Sequence, residues 1–265
     1  MDLGLHNKIA LVTAATKGLG FAAAKELVQE RAKVVVCGRE QARLEQALSQ
    51  LRSFASDPNH VVGTMADVTN PAGADQLIAF TVAAFGGLDI LITNAGGPAG
   101  GTFATTSLEN WEKGLNLTLL SAVRLIQAAL PHLRQSQAAS ILTITSISVK
   151  QPITGLFLSN AIRPAVVGLT KSLAQELAPA GIRANSILPG WTQTERVDEI
   201  LEYRAKVNHS TPEQEMAKIT ASVPLGRMAR PEEFGKVAAF LVSPAASYLT
   251  GVMLQVDGGS YSGLL

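Results

Sequence analysis

Apolar residues fall along this chain in two alternating rhythms. Short runs that are apolar almost throughout read as strands buried on both faces: Ile9–Val12, Lys33–Cys37, His60–Met65, Leu88–Ile92, Ser140–Thr145, Arg183–Leu188 and Val252–Val256. Between them apolar residues recur at helical spacing, as in Leu19, Ala23 and Leu27, then Leu44, Ala47, Leu48 and Leu51, then Leu77, Ile78, Thr81 and Phe85. Pro71 opens the last of these helices, at a position where a missing N–H costs nothing. Two long helices follow, from about Ser107 to Leu130, stopping at Pro131, and from about Leu158 to Ala178, ahead of Pro179. A shorter one covers Glu232–Leu241. Strands alternating with helices predict the α/β class: a doubly wound Rossmann sheet of about seven parallel strands with helices on both faces. Ligands of such sheets sit above the carboxyl ends of the strands. No repeat, linker or low-complexity segment interrupts residues 1–265, so a single domain is expected, with 191–222 as its substrate-side segment.

The two long helices carry more apolar residues than one stripe on a sheet requires. Leu115, Leu117, Leu119, Leu120, Val123, Leu125 and Ile126 surround the first; Ile162, Val166, Val167, Leu169 and Leu173 surround the second. The surplus predicts a second buried face, read as a two-fold interface in a homo-oligomer (dimer or tetramer) through 107–130 and 158–178. Burial under the 191–230 segment is the alternative.

The first strand leads into Thr13-Ala14-Ala15-Thr16-Lys17-Gly18-Leu19-Gly20. A strand, a tight glycine turn and a helix N-terminus gather free N–H groups and a partial positive charge, which suits a diphosphate. Glycine also serves plain turns, and here the first fingerprint position is Ala14, so the turn alone decides little.

Totals narrow the function classes. The chain has 265 residues, 47% hydrophobic and 16% charged, with a formal net charge of +1. That composition suits a compact fold and offers no basic footprint for nucleic acid or a membrane surface. The one cysteine, Cys37, sits in an apolar run and reads as a buried thiol. The first residues lack a signal-peptide core and no run looks long enough to span a bilayer, so the cytoplasm is expected. His6, His60, His132 and His209 lack metal-ligand spacing, and no metal site is expected.

Taken together these residues resemble the short-chain dehydrogenase/reductase family, and within it the 3-oxoacyl-(acyl carrier protein) reductase-like branch. The resemblance spans essentially the whole chain. It rests on Thr13 to Gly20, Asp67-Val68, Asn94-Ala95-Gly96, Pro189-Gly190 with Thr194, Pro224 to Arg227, Pro231-Glu232-Glu233, and the ending Gly251 to Gly259. It implies a pyridine dinucleotide held by Thr13, Thr16, Lys17, Gly18, Leu19 and Gly20. Asp67 and Val68 would meet the adenine, Asn94, Ala95 and Gly96 the adenosine ribose, and Pro189, Gly190 and Thr194 the nicotinamide carboxamide. Lys17 and Arg39 stand where a 2′-phosphate would be gripped, and Arg39 replaces the acid usual in NAD enzymes, so NADP is the expected cofactor and NAD the second choice.

The family's Ser–Tyr–Lys–Asn group is altered here. Ser146, closing the fifth strand, matches the serine. Thirteen residues on, the tyrosine position holds Ser159, and four further the lysine position holds Arg163; Gly168 to Lys171 downstream fixes that register. Counting from Trp111 and Pro131 puts the asparagine position at Thr118, with Asn116 on the opposite side of the helix. An aliphatic hydroxyl is a far weaker acid than a phenol; the guanidinium of Arg163 can still grip the cofactor's ribose hydroxyls, which makes it a cofactor-binding residue too, but it does not give up its proton. Tyr203, His209 and Lys150 are weak substitutes for the missing acid. The expectation is an oxidoreductase on a ketone or secondary alcohol with a variant proton path through Ser146, Ser159 and Arg163. A nucleotide-binding sensor and a structural subunit are the alternatives; Pro189-Gly190 with Thr194 argues against the last, since carboxamide contacts serve no purpose without a nicotinamide.

Overall fold

The computed structural model describes residues 1–264; the last position of the expected domain, Leu265, lies outside them. One seven-stranded sheet runs through the molecule: β1 (Ile9–Val12), β2 (Lys33–Gly38), β3 (Val61–Met65), β4 (Ile90–Thr93), β5 (Ser140–Ile144), β6 (Arg183–Pro189) and β7 (Met253–Val256). Its order is β3-β2-β1-β4-β5-β6-β7, and every pairing is parallel. The all-apolar strands have the reason expected of them. Ala10, Val12, Val34, Val36, Ile90 and Ile92 face one core; Leu11, Val35, Cys37 and Leu91 face the other. With both faces covered, alternation of polar and apolar residues has no place to occur.

Helices α1 (Gly18–Gln29), α2 (Gln41–Phe54) and α9 (Pro231–Val242) cover the first face, where Ala23, Leu27, Leu51, Phe234 and Ala238 are fully buried. On the second lie α3 (Pro71–Phe85), α5 (Ser121–Leu133) and α6 (Phe157–Leu177), through Leu77, Leu125, Leu133 and Leu177. The Asn70 side chain accepts from Ala72 N and caps α3 ahead of Pro71, as the proline predicted.

The first long helix departs from its sequence reading in three ways. It consists of α4 (Leu108–Leu115), a π turn over Asn116–Leu120, and α5. It does not stop at Pro131 but runs through it to Leu133. The carbonyl that loses its partner to Pro131 belongs to exposed Gln127, on the solvent side of the helix, while buried Leu133 holds the final turn down. Taken across the π turn, Leu108–Leu133 is 26 residues and contains an 18-residue window with a mean hydropathy of 1.2, long and apolar enough by composition to cross a membrane. The reading that no run is long enough is corrected accordingly. Here that apolarity serves packing against α3, β4 and β5. The second long helix likewise contains an internal proline, Pro164, on its exposed side.

Two further helices, α7 (Glu195–Asn208) and α8 (Pro212–Ser222), form a separate small cluster through Val197, Leu201, Ile219 and Met228, with Trp191 against it. They stand over the carboxyl ends of the strands. The outer face of α6, made of Ala161, Pro164, Ala165 and Gly168, stays exposed, as do Leu115 and Leu120. The 191–230 segment therefore does not bury these residues.

Candidate functional site

β1 and β4 are neighbours joined to helices on opposite faces, so a crevice opens above their carboxyl ends. A cleft of about 580 Å³ occupies it. The loops that follow the two strands are tied together. Thr13 Oγ1 donates to Asn94 O at 2.7 Å and accepts from Asn94 N at 2.8 Å, and Asn94 Nδ2 donates to Ala14 O at 3.1 Å. Gly20 lies beneath this tie: a Cβ there would come within 2.7 Å of Asn94 Nδ2 and 2.8 Å of Ala14 O. Thr13 and Gly20 thus shape the crevice from behind, whereas Thr16, Lys17, Gly18 and Leu19 line it. No side chain caps α1 and its first turn contains no acid. Its leading N–H groups are left for an anion, and the residues present fit a dinucleotide diphosphate.

At one end of the cleft stand Lys17, Arg39 and Arg43 with Glu40, Asp67, Val68 and Glu195. Lys17 pairs with the carboxylate of Glu195, whose Oε2 also lies 3.7 Å from Arg43 Nη1. Hydrogen bonding from Lys17 and the nearby cations hold the Glu195 carboxyl below the usual range. Burial by itself would raise the Asp67 carboxyl; bonds from the Thr69 backbone and hydroxyl, at 2.9 and 2.7 Å, and the charge of Arg39 outweigh it and lower the pKa. Arg43 was not singled out from sequence. Its only signal is its place four residues after Arg39, in the first turn of α2.

At the other end, Asn94, Ala95 and Gly96 meet Ser146, Ser159, Arg163, Pro189, Gly190 and Thr194. Ser146 closes β5, and its Oγ accepts from Ser148 N at 3.1 Å, capping the short turn Ile147–Val149. Ser159 and Arg163 lie one turn apart on α6. Arg163 Nε donates to Ser159 Oγ at 3.1 Å, and its Nη1 donates to Thr145 O at 3.0 Å and Ile144 O at 3.3 Å. The guanidinium is therefore moored to the carboxyl end of β5. Burial, and then repulsion from Arg196, push its pKa down to about 10, which leaves it a cation at neutral pH. Gly190 is needed for packing, since a Cβ would come within 2.7 Å of Asp257 Cα. Thr192 also lines this end, with its Oγ1 buried and without a partner. Spacing gave no reason to choose it over Thr194.

Thr118 sits in the π turn, buried, with Oγ1 unpartnered, and lines a cavity of about 20 Å³ together with Asn94, Ser121 and Arg163. Asn116 points away: its Nδ2 donates to Thr69 O at 3.1 Å and its Oδ1 accepts from Arg124 at 2.7 Å. Three weak candidates from sequence do not line the cleft. Tyr203 lies within α7 with its side chain exposed, near Gly100 and Gly155; His209 is exposed at the left-handed end of that helix; Lys150 lies over the Tyr261 ring, 5.1 Å from its centre. Each is held where its own helix or turn puts it, facing solvent or another ring. Among the described residues there is no cluster of metal-ligating side chains.

Known proteins share this arrangement. A sequence model of the family described as enoyl-(acyl carrier protein) reductase matches residues 13–261. Dehydrogenase/reductase SDR family member 4 from Bos taurus is 36% identical over 98% of this chain and 89% of its own length. The crystal structure of L-sorbose reductase from Gluconobacter frateurii, complexed with NADPH and L-sorbose, superposes with a TM-score of 0.93 at 30% identity, over 100% of both chains. An NADPH-bound short chain oxidoreductase from Pseudomonas aeruginosa PAO1, described as containing an atypical catalytic center, superposes with a TM-score of 0.88 at 30% identity, over 97% of this chain and 99% of that one.

Proposed function

Because this chain belongs to the short-chain dehydrogenase/reductase family and is an oxidoreductase acting on CH–OH or C=O groups with NADP(H), we propose that its proton path runs through Ser146, Ser159 and Arg163. The observation that carries this reading is the 3.1 Å bond from Arg163 Nε to Ser159 Oγ at the lip of the cleft. Bound cofactor supplies the hydride. Ser159 Oγ accepts from Arg163, so its own hydrogen is free to point at the substrate oxygen, and Ser146 offers a second hydroxyl on the same cleft. Fixed positive charge on Arg163 stabilises the oxyanion as it forms, which is where a weak donor needs help. Ser159 regains its proton from water. The cavity beside Thr118 has room for one water against Arg163, the residue that bonds Ser159 Oγ, although Ser159 itself does not line it.

Thr16, Lys17, Gly18, Leu19, Arg39, Asp67, Val68, Asn94, Ala95, Gly96, Arg163, Pro189, Gly190 and Thr194 are the cofactor-binding residues in this reading, with Thr13 and Gly20 behind them, and Arg43 and Thr192 join them. Support comes from the uncapped N-terminus of α1 and the three cations beside it. The reading includes a homo-oligomer formed through the exposed small-residue face of α6, and a cytoplasmic protein whose one cysteine, Cys37, is buried and unpaired.

Steady-state reduction of a ketone and aldehyde panel by the purified protein with NADPH tests the proton path. Ser159→Ala is expected to lower kcat by roughly 10- to 100-fold, and Arg163→Ala by at least as much, with NADPH still bound. Wild-type protein that binds NADPH yet turns over nothing would instead favour a nucleotide sensor.

A further inference from the structure

Charge in the cleft is sorted by partner. Its acids, Glu40, Asp67 and Glu195, lie against Lys17, Arg39 and Arg43, whereas the two other guanidiniums, Arg163 and Arg196, lie near each other and pair with none of these acids. Among the described residues Arg163 enters no ion pair; every acceptor it has is neutral, a hydroxyl and two carbonyl oxygens. A withdrawn cation without an anion is costly, and a site that keeps one generally meets the anion in its ligand.

Arg196 is a placed residue. It belongs to the first turn of α7, and its Nη2 donates to Pro98 O at 2.8 Å, across to the loop that follows β4. That approach depends on glycine at 97, where a Cβ would come within 2.8 Å of Arg196 Nε. Its one acidic partner, Glu199 at 3.0 Å, is exposed and stands outside the cleft. A solvated pair of that kind holds an arginine only weakly and leaves it open to a second anion. The cleft lining also includes four large apolar side chains, Trp191, Ile153, Leu156 and Ile200, beside the hydroxyls of Ser146, Ser159, Thr192 and Thr194.

We infer that the substrate of this cleft bears a carboxylate on an otherwise apolar skeleton, an oxo acid or the matching hydroxy acid, and that Arg196 recognises the carboxylate. This rests on the oxidoreductase reading above. The 2′-phosphate of the cofactor belongs with Lys17, Arg39 and Arg43, the diphosphate with the free N–H groups at the start of α1, and ribose hydroxyls are neutral, so none of these is the anion that the two guanidiniums lack. The planar fork of arginine matches a carboxylate in two parallel bonds. Arg163 serves the reacting oxygen, and Arg196 sets which molecules bring one.

Matched pairs of medium-chain oxo acids and their methyl esters, with a phosphate-bearing ketone as a third arm, test this in the NADPH-loaded protein. The acid is expected to exceed its ester in kcat/KM by about tenfold or more, carried by KM. Arg196→Gln should bring the acid-to-ester ratio toward one. Glu199→Gln, which releases Arg196 from its competitor, should lower KM for the acid. Calorimetric binding of the hydroxy acid against its ester gives the same comparison where turnover is slow, and does so on the free protein if NADPH does not bind. Failure of NADPH to bind counts against the oxidoreductase reading; equal handling of acid and ester, an unchanged ratio in Arg196→Gln, or preference for the phosphate overturns the carboxylate assignment.

Discussion

Ala14 holds a left-handed backbone, φ +46°, at a place in the β1–α1 turn where glycine is usual. A Cβ in that region crowds the neighbouring carbonyl, and the turn keeps the conformation because Asn94 Nδ2 bonds Ala14 O. Ala14→Gly is expected to raise stability by about 1 kcal/mol, because relief of the Cβ clash exceeds the added freedom of the unfolded chain. Thermal unfolding should show a Tm increase of roughly 2–4 °C, and a decrease would mean that the strain is absent. Residue counting from sequence reached Ser146, Ser159, Arg163 and Thr118, because a register on a helix or at a strand end survives translation into space. It did not reach Thr192 or Arg196. Nothing in their spacing distinguishes a buried, unpartnered hydroxyl or a guanidinium lying on Gly97 from ordinary side chains.

Elements show what periodicity conveys and where it stops. Seven apolar runs became seven strands within a residue or two, because burial on both faces demands apolar residues at every position. The long helix before β5 was legible as helix but not as α4, π turn and α5, since one extra residue per turn changes hydrogen bonds more than it changes composition. That turn is what brings Thr118 inward while Asn116 is spent on Thr69 and Arg124. In α2, the first turn delivers Arg43 to the same end of the cleft as Arg39. Arg39→Asp and Arg43→Asp are each expected to weaken NADPH binding by about 10- to 100-fold while changing NADH binding little, measured by calorimetry with both nucleotides. Unchanged NADPH affinity in Arg39→Asp would mean that the 2′-phosphate lies elsewhere.

Across the described residues of the whole molecule, one face of α6 lies open. Ala161, Pro164, Ala165 and Gly168 form a small-residue strip along α6, with Leu115 and Leu120 exposed on the helix beside it. Small residues let two helices approach closely, and this is the reason to expect a second copy here rather than solvent. A Cβ at Gly168 would meet nothing within 4 Å and the position is exposed, so the arginine of Gly168→Arg has solvent to extend into. The variant is expected to sediment as a monomer with an unaltered circular dichroism spectrum; wild-type protein that is itself monomeric would refute the interface.

By itself the sequence determined the order of strands and helices, the glycine turn at the start of α1, and the spacing of Ser159 and Arg163 one helical turn apart. These are properties of short stretches, set by local periodicity and by chain order. Only the tertiary structure decided which charges share a cleft. Lys17 and Glu195 are 178 positions apart yet pair, and Arg196 reaches Pro98 from a helix that begins some hundred residues later. Electrostatics depends on distance through space, and the parallel crossovers that bring such residues together leave no mark in the residues themselves.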